Sequence, residues 1–307
     1  MDEYVLKTRS LTKTYRNTVA LDNVTITLKP GRIYGLIGHN GAGKTTFMRL
    51  IAGLTFPTSG EINLFGYTQA KHLQHARQRI GFMIEAPAIN TSMSAKENVH
   101  LHRIIKGIPN EELEQELLAL VGLQNTGKKK ARNFSLGMKQ RLGIALSLIG
   151  SPELLILDEP INGLDPVGIV DMRNLLQTLC AEKNITILLS SHNLSQLYQV
   201  ATDYIIIDHG KIIETITLSE LEEQCKQYVL LRTNQPELLV STLEKELHTQ
   251  NYLVMPDKSI RLFDFTDRME TLAALFQREN ILITNLSIEG NTLENYYINL
   301  VERSRNV

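Results

Sequence analysis

The run GHNGAGKT at residues 38–45 places two glycines, a lysine and a threonine at the spacing G-x-x-x-x-G-K-[ST] of a phosphate cradle. Gly41 and Gly43 free the backbone to turn N–H groups inward, and the following helix adds the partial positive charge of its N-terminus. Gly38, His39, Asn40, Gly41, Ala42, Gly43, Lys44, Thr45 and the next residue, Thr46, are therefore the expected nucleotide contacts. Lys44 is suited to reach the β- and γ-phosphates, and Thr45 to offer its hydroxyl to Mg²⁺. A second run, LLILDEP at 154–160, ends an apolar stretch in adjacent carboxylates. Asp158 then fits the Mg²⁺ shell and Glu159 the general base that faces the attacking water. Alone, that pair would also read as a solvated acidic turn; beside a phosphate cradle it reads as chemistry.

These groups can meet only if strands deliver them to one edge. RIYGLIG (32–38) reads as an apolar strand entering the glycine turn, and TTFMRLIAGL (45–54) as the helix leaving it. LLILDEP, ITILLSSH (185–192) and DYIIIDHG (203–210) are short, nearly continuous apolar runs. Such runs fit a parallel sheet covered on both faces. VLKTRSLTKTY (5–15) and ALDNVTITL (20–28) alternate polar and apolar residues and read as antiparallel β structure. Between about 86 and 150 the period turns helical, with EELEQELLALVGL (111–123) and MKQRLGIALSLIG (138–150) carrying apolar stripes. Beyond residue 215 the order becomes β-α-β-β-α-β and then a last helix, which predicts a small ferredoxin-like domain over 216–307. The fold class expected is α/β: a cassette over 1–215 with a mixed sheet, an antiparallel β subdomain and a helical subdomain, followed by that α+β domain.

The 307 residues include 32 Lys+Arg against 33 Asp+Glu, a net charge of -1 that argues against nucleic acid as the main partner. The two cysteines, Cys180 and Cys225, are too few for a disulfide scaffold and read as reduced thiols. No apolar run approaches the roughly 18–20 residues that span a bilayer, and the N-terminus lacks a signal core. A cytoplasmic protein is expected, with any membrane role reached through a partner.

Taken together, residues 4–215 resemble an ATP-binding cassette ATPase, with the elements in the family's order. NFSLGMKQR (133–141) is similar to the family signature: Ser135, Gly137, Gln140 and Arg141 match it, whereas Phe134, Leu136 and Met138 depart. On its own residues, Ser135 reads as the cap of a helix whose N-terminus offers donors to a phosphate. The resemblance implies that Ser135 and Gly137 meet the γ-phosphate held by the opposite protomer of a homodimer. It also implies a dimer-interface role for Asp165 in NGLDP (162–166), a γ-phosphate contact for the switch residue His192, and adenine stacking on Tyr15. Lys44, Glu159 and His192 are thus the expected catalytic set. Thr45, Asp158 and Glu85 are the expected metal set.

Glu85 stands where the family usually has glutamine. A carboxylate beside ATP phosphates is repelled, so Glu85 is expected either to approach Mg²⁺ or to swing away until a permease engages it. The segment IEAPAIN around it resembles the ATP-binding subunits of bacitracin and lantibiotic export or self-protection systems. The resemblance implies an ATPase at the inner face of the cell membrane, powering a separate transmembrane permease that exports a peptide antibiotic or other drug. DNA-maintenance cassettes carry long coiled coils or zinc modules between cradle and signature, whereas only 91 residues (135 − 44) separate Lys44 from Ser135 here, without heptads or cysteine pairs. Translation-associated cassettes carry two copies per chain, and a GTPase would show an N-K-x-D element.

Overall fold

In the computed structural model, residues 3–305 are described; residues 1–2 and 306–307, the outer ends of the two expected domains, lie outside them. The chain divides into two compact units, Met1–Leu218 and Ser219–Val307. The division falls three residues beyond the sequence reading because the last strand of the first unit runs to Thr217 and buries Ile216.

The first unit opens with strands β1 (Leu6–Tyr15), β2 (Thr18–Val24), β3 (Thr27–Leu28) and β4 (Ile33–Ile37), then helix α1 (Lys44–Ala52) and strand β5 (Ser59–Leu64). Helix α2 (Ala70–Ala76) and strand β6 (Ile80–Met83) lead into three helices, α3 (Ala95–Ile105), α4 (Glu112–Leu120) and α5 (Leu136–Leu148). The order then becomes β7 (Leu154–Leu157), α6 (Pro166–Lys183), β8 (Thr186–Ser191), α7 (Leu194–Tyr198), β9 (Asp203–Asp208) and β10 (Lys211–Thr217).

β1 pairs antiparallel with β2, β3 and β5. The six-stranded sheet runs β10-β9-β4-β8-β7-β6, with its five inner and far-edge strands parallel and β10 antiparallel to β9. Every residue of β4, β7, β8 and β9 is buried, which is why those runs are apolar almost without interruption. One apolar cluster takes Leu6, Leu11 and Leu28 from the antiparallel sheet, Phe47, Leu50 and Ile51 from α1, and Leu36, Ile156 and Leu188 from the parallel sheet. α1 is thereby buried between the two sheets. The register pairs Ile37 with Ser191 and Leu157 with Leu189, so β4, β7 and β8 end side by side.

In the helical arm, Ser94 caps α3 in a reciprocal box: its hydroxyl accepts from Glu97 N–H, and its own N–H donates to the Glu97 carboxylate. The Ser94 N–H, Lys130 and the Ser94 hydroxyl together hold the Glu97 carboxyl down from its ordinary 4.5 to about 2. That contribution is present above pH 4.5 and is lost as the pH falls toward 2. Ser94→Ala should lower the unfolding free energy by about 1 kcal/mol at neutral pH, read from the urea midpoint. An unchanged midpoint would remove the cap from the stability of this arm.

The second unit contains α8 (Leu218–Gln224), which begins at the division, then β11 (Tyr228–Thr233), α9 (Pro236–Glu246), β12 (Tyr252–Val254), β13 (Ile260–Leu262), α10 (Met269–Arg278), β14 (Ile283–Glu289) and α11 (Leu293–Arg305). Its sheet order is β12-β13-β11-β14, antiparallel throughout. That is the ferredoxin-like arrangement read from the element order. Val229 and Leu231, Ile260 and Leu262, Leu239 and Leu243, and Leu272 and Phe276 form its own apolar core.

Candidate functional site

The phosphate cradle joins β4 to α1. Gly43 adopts φ 109°, and a Cβ there would also stand 2.7 Å from the Ala20 carbonyl, so only glycine fits. α1 begins without a side-chain cap and without an acidic residue in its first turn. Its leading N–H groups and positive dipole end are left for an external anion. The loop residues Gly38, His39, Asn40, Gly41 and Ala42 precede that helix end, and Lys44, Thr45 and Thr46 occupy its first turn.

Lys44 is buried, and its Nζ donates to the Gly38 carbonyl at 2.7 Å and the His39 carbonyl at 3.2 Å. Burial pulls its pKa down, against the upward pull of Glu159 and Asp158. Thr45 Oγ1 donates to Asp158 Oδ2 at 2.8 Å, and Ser190 Oγ donates to Asp158 Oδ1 at 2.6 Å. The same Ser190 oxygen accepts from the Glu159 N–H at 2.9 Å. Glu159 sits at φ 48°, a left-handed backbone that non-glycine residues rarely adopt. Its carboxylate lies 3.8 Å from Lys44 Nζ and accepts from His192 Nδ1 at 2.9 Å and Asn162 Nδ2 at 3.1 Å.

Lys44, Thr45, Asp158, Glu159 and His192 thus form one connected cluster at the ends of β4, β7 and β8. Ser190 and Asn162, which the sequence motifs give no role, complete it. The adjacent hydroxyl in SSH was the available signal for Ser190; Asn162 depended on the Glu159 turn.

Other expected residues stand apart. Glu85, also left-handed at φ 67°, is paired with Arg49 and not with Thr45 or Asp158, and its side chain is 61% exposed. The Arg49 guanidinium meets the Glu85 carboxylate apart from the cluster around Asp158. Tyr15 ends β1 half-exposed, with Lys13 Nζ 4.7 Å from its ring centroid. Ser135 caps α5 by accepting from Met138 N–H, with Gly137 in the first turn. Among the described residues no hydrogen bond joins either to the cradle. Asp165 caps α6 by accepting from Gly168 N–H at 3.1 Å.

Comparison with known proteins gives this cluster its family. The ABC transporter family profile matches residues 21–162, which include the cradle and both carboxylates. The chain is 40% identical to the bacitracin transport ATP-binding protein BcrA of Bacillus licheniformis, over 97% of each chain. The chain belongs to the ABC transporter family. It is an ATP-binding and ATP-hydrolysing subunit of that family. The chain is also 43% identical to the lantibiotic transport ATP-binding protein SrtF of Streptococcus pyogenes, over 68% of this chain and 89% of the relative.

Among solved structures, cbiO1 from Clostridium perfringens, part of the cbiONQ transporter complex, aligns with TM-score 0.67 at 25% identity. It covers 80% of this chain and 98% of its own. A cassette solved as a dimer with ADP and Pi aligns with TM-score 0.63 at 27% identity, over 69% of this chain and 98% of that one. ATP-binding subunits of this family dimerise and work with a transmembrane permease. No helix among the described residues is long and apolar enough to cross a membrane.

Proposed function

We propose that two copies of the cassette close around two ATP molecules and drive a separate permease that exports a peptide antibiotic or other drug. The observation that carries this reading is the 40% identity to a bacitracin transport ATP-binding protein along 97% of both chains, because it extends through the second unit as well as the cassette. The cassette then works at the cytoplasmic face of the membrane, held there by its permease. Residues 219–307 act as an accessory domain with a core of their own.

Within each site, the uncapped α1 N-terminus and Lys44 bind and orient the phosphates. The hard oxygens of Thr45 and Asp158, 2.8 Å apart and half-enclosed, fit Mg²⁺. When bound, the ion neutralises phosphate charge. Glu85 joins that set only after it leaves Arg49. Glu159 takes the proton of the attacking water, and His192, bonded through Nδ1, fixes its carboxylate. Ser135 and Gly137 reach the phosphate of the opposite protomer, and Tyr15 faces adenine once Lys13 leaves its ring.

A deletion of the gene in its host tests the export reading against a panel of bacitracin and lantibiotics. Sensitivity should rise toward at least one peptide and return to normal with the wild-type gene but not with Glu159→Gln. Unchanged sensitivity across the panel would count against peptide export.

A further inference from the structure

On the far side of the cradle, the turn between β9 and β10 brings Asp208 and His209 against His39. The turn has two residues, His209 at φ 45° and Gly210 at φ 79°, and Asp208 faces Lys211 across it. Two successive left-handed residues make a type I′ hairpin. Gly210 pins the turn twice: its N–H donates to the Ala42 carbonyl at 2.9 Å, and its carbonyl accepts from the Asp22 N–H at 2.8 Å.

The Asp208 carboxylate is buried. His39 Nε2 lies 2.7 Å from Asp208 Oδ1, and His209 Nδ1 lies 2.8 Å from Asp208 Oδ2. All three ligand atoms lie within 4.8 Å of one another. The other nitrogen of His39, Nδ1, faces the Asn40 carbonyl at 2.7 Å. A carbonyl only accepts, so Nδ1 carries a proton and Nε2 is the ring nitrogen that can offer a lone pair. That buried Nε2 lacks the alignment for a hydrogen bond to Asp208 and has no other hydrogen-bond partner. A lone pair aimed at a carboxylate oxygen calls for a positive charge between them.

We propose that His39, Asp208 and His209 bind a divalent transition-metal ion of the zinc class, which clasps the cradle to the β9–β10 turn. Two imidazoles and one carboxylate suit such an ion and discriminate against Mg²⁺. Ligands about 2 Å from a tetrahedral ion lie roughly 3.3 Å apart, so small side-chain rotations convert the present cluster into a site with an open fourth position for water. The backbone carbonyl on Asn40 supplies the outer bond that fixes a metal-bound histidine. Because His39 is part of the cradle loop, any change the metal makes in nucleotide affinity is returned by the nucleotide in the same factor.

Full-length protein, stripped of metal and kept in Mg²⁺ without nucleotide, is titrated with Co²⁺ as a spectroscopic probe. One equivalent should produce the intense visible bands of a four-coordinate ion, and Zn²⁺ should remove them. His209→Asn keeps a side chain that tolerates the left-handed turn, and His39→Asn removes the second imidazole. Loss of an outer-shell partner alone costs roughly 10–100-fold in metal affinity, so each ligand variant should weaken binding at least about tenfold. The paired His72→Ala and His75→Ala variant should bind as wild type. Circular dichroism checks that each variant is folded. Absence of the bands, or bands kept in folded His209→Asn and His39→Asn, would overturn the site.

Discussion

Glu159→Gln is expected to bind ATP as the wild type does and to hydrolyse it at least about a hundredfold more slowly, the low end of what a positioned general base supplies. The amide is nearly isosteric, so it can still accept from His192 and Asn162, which hold the carboxylate at 2.9 and 3.1 Å. What it cannot do is take a proton from water. The left-handed backbone at φ 48° belongs to the main chain and survives the change. Phosphate release and nucleotide binding, measured on the same preparation, separate the two effects. If ATP persists, the protein should elute as a dimer on size exclusion in ATP and as a monomer in ADP. Near-normal turnover in Glu159→Gln would take the base role away from this residue.

Lys44→Ala should fail one step earlier. The Lys44 ammonium is held inside the loop by the Gly38 and His39 carbonyls, ready to exchange those acceptors for phosphate oxygens. Hydrogen bonds to charged groups are worth about 1.5–3 kcal/mol, which corresponds to roughly 10–150-fold in dissociation constant. A fluorescent nucleotide titration reads this directly. An unchanged dissociation constant would mean that the α1 N-terminus alone holds the phosphates. Losing hydrolysis with binding intact would assign Lys44 to the transition state instead.

The cradle and the LLILDEP carboxylates were legible because each lies within one short run, where spacing alone dictates geometry. The ferredoxin-like order was legible for a related reason: apolar periods switch cleanly between 2 and 3.6 from β11 through β14. Partner choice was not legible. The resemblance puts Glu85 beside the phosphates, but its pairing with Arg49 joins residues 36 apart in the chain, which no local spacing foretells. Asp208 and His209 stand far along the chain from His39, and nothing local relates them. Only the hairpin pattern D-H-G-K hinted that Asp208 ends a strand beside a tight turn. Glu159's left-handed backbone was equally hidden, since a glutamate is not expected there.

The parallel ladder has a consequence for how this enzyme tolerates change. Thr45, Asp158 and Ser190 meet because Leu157 lies opposite Leu189 and Ile37 opposite Ser191. Strand rise is quantised at about 3.3 Å per residue, and one step turns a side chain to the other face of the sheet. The cluster therefore behaves like a vernier: its alignment is stored in the buried rungs that pair Leu157 with Leu189 and Ile37 with Ser191. A single inserted residue within LLIL would leave composition and apolar content almost untouched. It would nonetheless carry Asp158 past both hydroxyls that grip it, so shifts of frame within that strand threaten the enzyme more than many losses of side chain around the site.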